Sequence, residues 1–579
     1  MKKILILHNN NIPVSIIELC DETHEEFEFS GIPVSQPKAS TDSFDTFISE
    51  TLSREIGTVQ YDLIILPYSF SNDNVFAYDG LVCACHLRLD ERFYNTRTPF
   101  LFLGPDNPLE SAKIDPIGSI LFTNRVFSSS APNAPALLEF LNQRPALFEK
   151  LDDSHFSKAI FSLNIPMPNN YGDSKHAITN LWSLLRWHDM ISWDENDIPS
   201  LSQETLEFKD SLYFKLSEAL LRVRYGESRQ EWTKNKKKKR PILPSITNIE
   251  NKTILHIDDE GPKGWYNFFD CIFRRSKATY IPFSDFRQNE NKGEFIQRVK
   301  DFIDSYKDVD CYVIDLRLHE SDISEKDFKN LSGHEIAKYI YEKNFGNQVI
   351  LFSASDKIWN LKQSEQYISD YALKENPSRF FSRDESYALF TSFSRSIMSA
   401  CKQSYLRGYA EKTTGNNLLR DFALLLKKDL GEGNQLYIRP AALNLIVFIE
   451  SFIKDRFEFN PGNTSQVRKI QDNSPACDLG LLFCQTDSQK KFVDLHEFTR
   501  SELHPGWDPI RSNDLGLIVS VLYQHYSITK ENVLKVSELK SIRNTSIAHG
   551  GQDTSITIDF LRQIFEKVVL SMLNHDNLL

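Results

Sequence analysis

Thr253-Ile254-Leu255-His256-Ile257 runs directly into Asp258-Asp259-Glu260. Three further apolar runs end on a polar group in the same way: Cys311-Tyr312-Val313-Ile314 on Asp315, Val349-Ile350-Leu351-Phe352 on Ser353, and Tyr371-Ala372-Leu373 on Lys374. Short apolar runs of this kind read as strands of a parallel sheet buried on both faces, and the carboxyl ends of such strands open on one crevice. The pattern predicts a doubly wound α/β domain whose crevice gathers three acids, a hydroxyl and a lysine.

Clustered carboxylates repel one another unless a hard cation neutralises them, and Mg²⁺ combines a few carboxylate oxygens with water and phosphate oxygens. Asp258, Asp259 and Asp315 are therefore the candidate metal ligands. With their repulsion relieved, Asp315 is the candidate nucleophile toward phosphorus, and Ser353 and Lys374 are the candidate holders of the new oxygens. The arrangement resembles the receiver domain of two-component response regulators over roughly a quarter of the chain. In that family an acidic pair follows the first strand, the phosphoacceptor the third, Ser or Thr the fourth and Lys the fifth. The resemblance further implies Tyr371 as the switch aromatic, Gly333-His334-Glu335 as a helix start, and the carbonyl of Arg317 as a metal contact. It also implies Mg²⁺ as cofactor and a histidine kinase or phosphotransfer protein as phosphodonor. Two departures stand out: the segment from Asp315 to Gly333 is longer than usual, and Glu375 replaces the proline that usually follows the lysine.

The 579 residues imply three to five domains, and 41% hydrophobic with 12% aromatic residues suffices for several cores. A net charge of -12 argues against a surface that coats nucleic acid as a whole. Eight scattered cysteines, with Cys83-Ala84-Cys85 lacking a second pair, read as reduced buried thiols rather than a zinc site. The apolar run after Met1 stops at His8 and is too short for a signal peptide, and no apolar stretch approaches membrane-spanning length. The expectation is a cytoplasmic protein without a membrane segment.

Residues 1–148 repeat the strand-helix alternation, with candidate strands at Ile4–Leu7, Leu63–Leu66, Phe100–Leu103 and Ile120–Phe122. Where a receiver carries acids, however, stand Asn9-Asn10 and Pro67-Tyr68. Amides and a proline cannot build a metal cage, so this reads as a receiver-like domain without phosphoryl chemistry, used for dimerisation or partner binding. Residues 149–247 read as a helical hairpin followed by the basic run Lys236–Arg240, a solvated linker. His176, four residues before Asn180, resembles the phosphorylated-histidine box of sensor kinases, although an ordinary surface histidine is the better reading. No Gly-rich nucleotide-binding region accompanies it.

The domain order is then a receiver at 248–400, a helical connector at 401–435, and an all-helical domain at 436–579. In the last of these lies Arg543-Asn544-Thr545-Ser546-Ile547-Ala548-His549-Gly550-Gly551. Arg543 and His549 are six residues apart. An ideal helix would separate them by about 120° and roughly 9 Å, so they meet only if the helix frays or a two-fold dimer pairs two copies. The segment resembles the Arg-Asn-x4-His motif of HEPN domains, helical bundles that include many metal-independent endoribonucleases. The resemblance implies that His549 moves a proton at the ribose 2′-hydroxyl or the leaving oxygen, that Arg543 stabilises phosphate charge, and that Asn544 orients one of these groups. RNA would be the substrate and a homodimer the working form. The competing reading is a non-catalytic response regulator or adaptor whose bundle binds partners; the fused architecture itself would suit stress or phage defence.

Overall fold

The computed structural model describes residues 1–9, 12–34, 43–71, 77–104, 107–168, 175–191, 193, 198–225, 246, 248–354, 368–379, 382–413, 415–429, 434–460, 463–470, 479–480, 483–485, 492–494, 513–543 and 556–578. The chain divides into two compact units: Met1–Ser245 with Asp259–Arg275 and Leu373–Ser392, and Ile246–Asp258 with Ser276–Ala372 and Phe393–Leu579.

In the first unit, β1 (Lys2–His8), β2 (Phe27–Pro33), β3 (Leu63–Pro67), β4 (Phe100–Leu103) and β5 (Val126–Ser129) form a parallel sheet in the order β2-β1-β3-β4-β5. Successive side chains alternate between its faces, so Ile4, Ile6, Leu63 and Ile65 fill one core while Leu5, Leu7, Ile64 and Leu66 fill the other. Two expectations need correction. Ile120–Phe122 is not a strand: Pro116 and the Asp115 side chain, which accepts from the Ile117 amide at 2.8 Å, start a 3₁₀ helix over Pro116–Phe122. The fifth strand follows instead at Val126. The second strand, β2, alternates buried and exposed residues as an edge strand does, and carries no continuous apolar run.

The same unit holds the helices Lys175–Met190 and Leu212–Tyr225, whose Trp182, Leu185, Phe214 and Leu221 share a core. A chain of buried polar groups ties the second of these helices to the α/β domain. Lys215 Nζ donates to Ser49 Oγ at 2.6 Å and to His86 Nδ1 at 2.8 Å, and ion-pairs with Asp90 at 3.1 Å. His86 Nε2 in turn donates to Asp45 Oδ1 at 2.7 Å. With the ammonium on Nδ1, the ring is neutral and its proton sits on Nε2.

In the second unit β6 (Thr253–Ile257), β7 (Thr279–Pro282), β8 (Cys311–Ile314), β9 (Val349–Ser353) and β10 (Asp370–Leu373) repeat the topology as β10-β9-β8-β6-β7. Every residue of β8 and β9 is buried, as strands covered on both faces require. Both sheets thus have the doubly wound order 2-1-3-4-5, and the multidomain α/β class with receiver-like folds and an added helical region stands.

The C-terminal part is not all-helical. β11 (Phe457–Asn460) and β12 (Asn463–Lys469) pair antiparallel beside the helices Gln435–Lys454, Asn513–Ser520, Lys530–Ile542 and Ile558–Ile564. The connector also does not stand apart, because Leu406, Leu419, Phe422 and Leu426 belong to the same core as Leu445, Ile518, Leu539 and Phe565. Gln435–Lys454 corrects the membrane reading too: its 20 residues are long and apolar enough, by length and composition, to cross a bilayer. Its Leu445, Ile446 and Ile449 are buried in that core.

Lys427 lies buried there, donating to the carbonyls of Phe345 and Asn347 at 2.9 and 2.7 Å. Burial pushes its ammonium down to about 7. Between that value and the ordinary 10.5, the unfolded chain holds the proton that the folded chain has shed, so stability rises with pH over this interval. Thermal unfolding measured from pH 7 to pH 9 is expected to show a steeper rise for the natural protein than for Lys427→Met; parallel slopes would refute the assignment.

Candidate functional site

β6 and β8 lie side by side with Ile254 opposite Cys311 and Ile257 opposite Ile314, so the next residue of each, Asp258 and Asp315, is delivered to the same end of the sheet. Carboxylate oxygens of Asp258, Asp259 and Asp315 lie within 4.8 Å of one another. Asp258 and Asp315 are fully buried, and Asp259 is half-buried. Oxygen-only ligands this close fit a hard divalent cation of the Mg²⁺ type, which would offset their mutual repulsion. Ser353, at the end of β9, is also fully buried.

The surroundings orient these groups. Asp315 Oδ1 accepts from the amides of Leu316 at 2.5 Å and Arg317 at 3.4 Å, so one carboxylate oxygen is held by its own turn. Behind Asp258 stands His256, buried within β6, with Nε2 3.6 Å from Asp258 Oδ2 and Nδ1 2.7 Å from the hydroxyl of Tyr280 on β7. Sequence reasoning passed over both His256 and Tyr280. A histidine inside an otherwise apolar strand was the available signal.

The enlarged segment after Asp315 is folded rather than loose. It forms two 3₁₀ turns, Glu320–Ile323 and Phe328–Asn330, around Asp322, a fully buried carboxylate. Asp322 accepts from Lys292 Nζ at 2.5 Å and from the amides of Leu318 and Ser332 at 3.2 Å each, with the Ser332 hydroxyl as a further donor. The insertion is thereby fastened to the start of the helix Ser332–Lys343. Gly333 opens that helix where a Cβ would stand 2.0 Å from the carbonyl oxygen of Asp315. Gly333→Ala is expected to cost about 1–3 kcal/mol by forcing this turn apart, and to displace Asp315 with it. Thermal unfolding checks the cost, and an unchanged midpoint would mean that the turn yields freely.

Lys374 follows β10 and is 3% exposed, with Nζ 5.8 Å from the centre of the Trp265 ring. Glu375, where the family has proline, is fully buried. Its amide donates to Ser183 Oγ at 2.8 Å, and its carboxylate accepts from Arg186 Nε at 3.2 Å. Both partners lie on Lys175–Met190, so the residue after the lysine is anchored to the helical hairpin of the first unit. Burial pushes the Glu375 carboxyl above its ordinary range, and Arg186 partly offsets the shift. No peptide bond among the described residues is cis. Tyr371 sits half-buried on β10, and Arg317 and His334 lie in the turn after Asp315 and on the first turn of Ser332–Lys343.

The first unit shows the same crevice with its chemistry replaced. Ile4 stands opposite Leu63 and Ile6 opposite Ile65, which carries His8 opposite Pro67. His8, Asn9 and Pro67 therefore take the places of Asp258, Asp259 and Asp315, one residue earlier in the first strand than the sequence reading placed them. Gly80 confirms the alignment: its Cβ would stand 2.0 Å from the carbonyl oxygen of Pro67, as that of Gly333 would from Asp315. Pro67 has no carboxylate to accept a phosphoryl group.

Of the C-terminal motif, Asn544 and His549 lie outside the described residues. Arg543, at the end of Lys530–Ile542, ion-pairs with Glu450, which also accepts from Lys540 Nζ at 2.7 Å. His176 sits half-buried in the first turn of Lys175–Met190, with its carbonyl accepting from Asn180 Nδ2 at 3.1 Å. The run Lys236–Arg240 is likewise outside the described residues.

No curated protein and no solved structure matches the chain. Residues 15–128 match the family model of the inactive receiver domain, the segment in which Pro67 stands where Asp315 stands in the second sheet. The chain therefore carries a receiver-like domain of the inactive kind at its N-terminal end, in keeping with a part in signalling regulation.

Proposed function

We propose that the chain is a phosphorylation-regulated signalling protein in which the central sheet, outside the segment matched to the inactive family, accepts a phosphoryl group on Asp315. The observation that carries this reading is the convergence of Asp258, Asp259 and Asp315 within 4.8 Å at the ends of adjacent strands. A histidine kinase or phosphotransfer protein would be the donor. An Asp315 oxygen attacks phosphorus, the P–N bond to the donor imidazole breaks with its electron pair leaving on nitrogen, and an acyl phosphate results. Mg²⁺ held by the three acids would neutralise charge on the pocket and the incoming phosphoryl oxygens. Ser353 and Lys374 are assigned to those oxygens, and Tyr371 to the switch that follows.

The output we assign to the C-terminal domain is an endoribonuclease of HEPN type, with His549 moving the proton at the 2′-hydroxyl, Arg543 stabilising the phosphate and Asn544 orienting them. Supporting this assignment, Arg543 lies at the end of a helix anchored in the C-terminal core. The adaptor reading draws on a different observation: Glu450 already neutralises Arg543. Incubation of the purified protein with RNA, before and after phosphorylation, separates the two. Cleavage that disappears in His549→Ala with the fold intact supports the nuclease, and no cleavage in either state supports the adaptor.

A further inference from the structure

A second cluster of ligating side chains lies in the C-terminal unit, with no part in the chemistry above. His525 ends the helical stretch Val521–His525, while His575 and Asp576 end the last helix, Leu570–His575. One ring nitrogen of each histidine and a carboxylate oxygen of Asp576 lie within 4.8 Å of one another. The two imidazole centres are 4.7 Å apart, and the His525 ring rests on Phe457 at 4.9 Å.

We propose that His525, His575 and Asp576 bind a divalent transition-metal ion of the zinc class. Two imidazoles and one carboxylate are a borderline-soft donor set that suits Zn²⁺ and its neighbours and suits Mg²⁺ poorly. His525 Nε2 is buried without a hydrogen-bond partner, a desolvated acceptor that ligation to a metal would satisfy. Asp576 is already oriented. Its Oδ2 accepts from the Tyr526 hydroxyl at 3.0 Å and from Arg456 Nε at 3.2 Å, while Oδ1 faces His575 Nδ1 at 3.2 Å. Outer partners of this kind fix the carboxylates that bind metals.

Three protein ligands leave a fourth position, and the cluster borders a cavity of about 450 Å³ lined by Arg456, Lys469, Tyr526 and His575. Asp576 neutralises Arg456, so among the described residues lining the cavity Lys469 is the cation left to act there, and it favours an anionic oxygen as the fourth ligand. The ion would clasp the end of the final helix to the stretch that precedes Tyr526, joining segments about fifty residues apart in the chain.

The test is titration of the full-length, chelator-treated protein with Co²⁺ in excess Mg²⁺, which occupies the oxygen-only pocket around Asp315, followed by visible spectroscopy. One Co²⁺ per chain is expected, displaced by Zn²⁺, with a nitrogen/oxygen spectrum free of thiolate charge-transfer bands. His525→Ala and His575→Ala should each weaken binding about tenfold or more, and Tyr526→Phe should weaken it less. Circular dichroism confirms that the variants are folded. The proposal is overturned by thiolate bands, by affinity unchanged in both histidine variants, or by binding that vanishes in Asp315→Ala instead.

Discussion

Arg186→Ala is expected to destabilise the first unit by about 3–5 kcal/mol, far beyond the loss of an exposed ion pair, because it leaves the buried carboxylate of Glu375 without its cation. Arg186 is 11% exposed and Glu375 1% exposed at the side chain, so neither recovers hydration in place. The sign of the pH response follows from the raised Glu375 carboxyl. Below the ordinary carboxylate range the group is protonated in both folded and unfolded chains, and stability is lost as pH rises through the folded value. Removing Arg186 raises that value further, so the variant should recover much of its loss as pH falls from 7 toward 5. The double variant Arg186→Ala with Glu375→Gln should recover at neutral pH as well. Denaturant unfolding across that range checks both expectations, and a pH-independent deficit would show that packing, not charge, is what Arg186 supplies.

Lys215→Met should be nearly as costly, at about 3 kcal/mol. The substitution takes the cation from Asp90, which retains Arg92, and the donor from His86 Nδ1 and Ser49 Oγ. Burial foremost, and then Lys215, holds the His86 imidazole below its ordinary range. In the natural protein the unfolded chain therefore takes up a proton that folded His86 refuses, and stability falls as pH drops below about 6.5. Without Lys215, Asp45 favours the imidazolium more effectively, so the acid-side loss should shrink in the variant. Matched unfolding curves at pH 7 and pH 5.5 test this, and an equal acid-side loss in both proteins would remove Lys215 from the network.

The acids of the central crevice were legible because fully buried strands spell themselves as unbroken apolar runs, and the residue ending each run falls at the strand's carboxyl end. Where a strand is exposed on one side, that signal vanishes, which is why β2 went unread. Register is also a pairing property: only the alignment of β1 with β3 shows that His8 is the residue opposite Pro67. Nothing local in the sequence announces that Asp322 and Glu375 are buried, because the cations that meet them inside, Lys292 and Arg186, lie 30 and 189 residues away in the chain. The hairpin of β11 and β12 was lost among long amphipathic helices that dominate the periodicity of that region.

Incubation of the intact protein with a small-molecule phosphodonor and Mg²⁺, followed by peptide mass spectrometry, tests the central claim most directly. The expected product carries one hydroxylamine-labile phosphoryl group on Asp315, absent from Asp315→Asn, from the Asp258→Asn, Asp259→Asn double variant, and from reactions without Mg²⁺. A label that persists in Asp315→Asn, or no label on a folded natural protein, would contradict it.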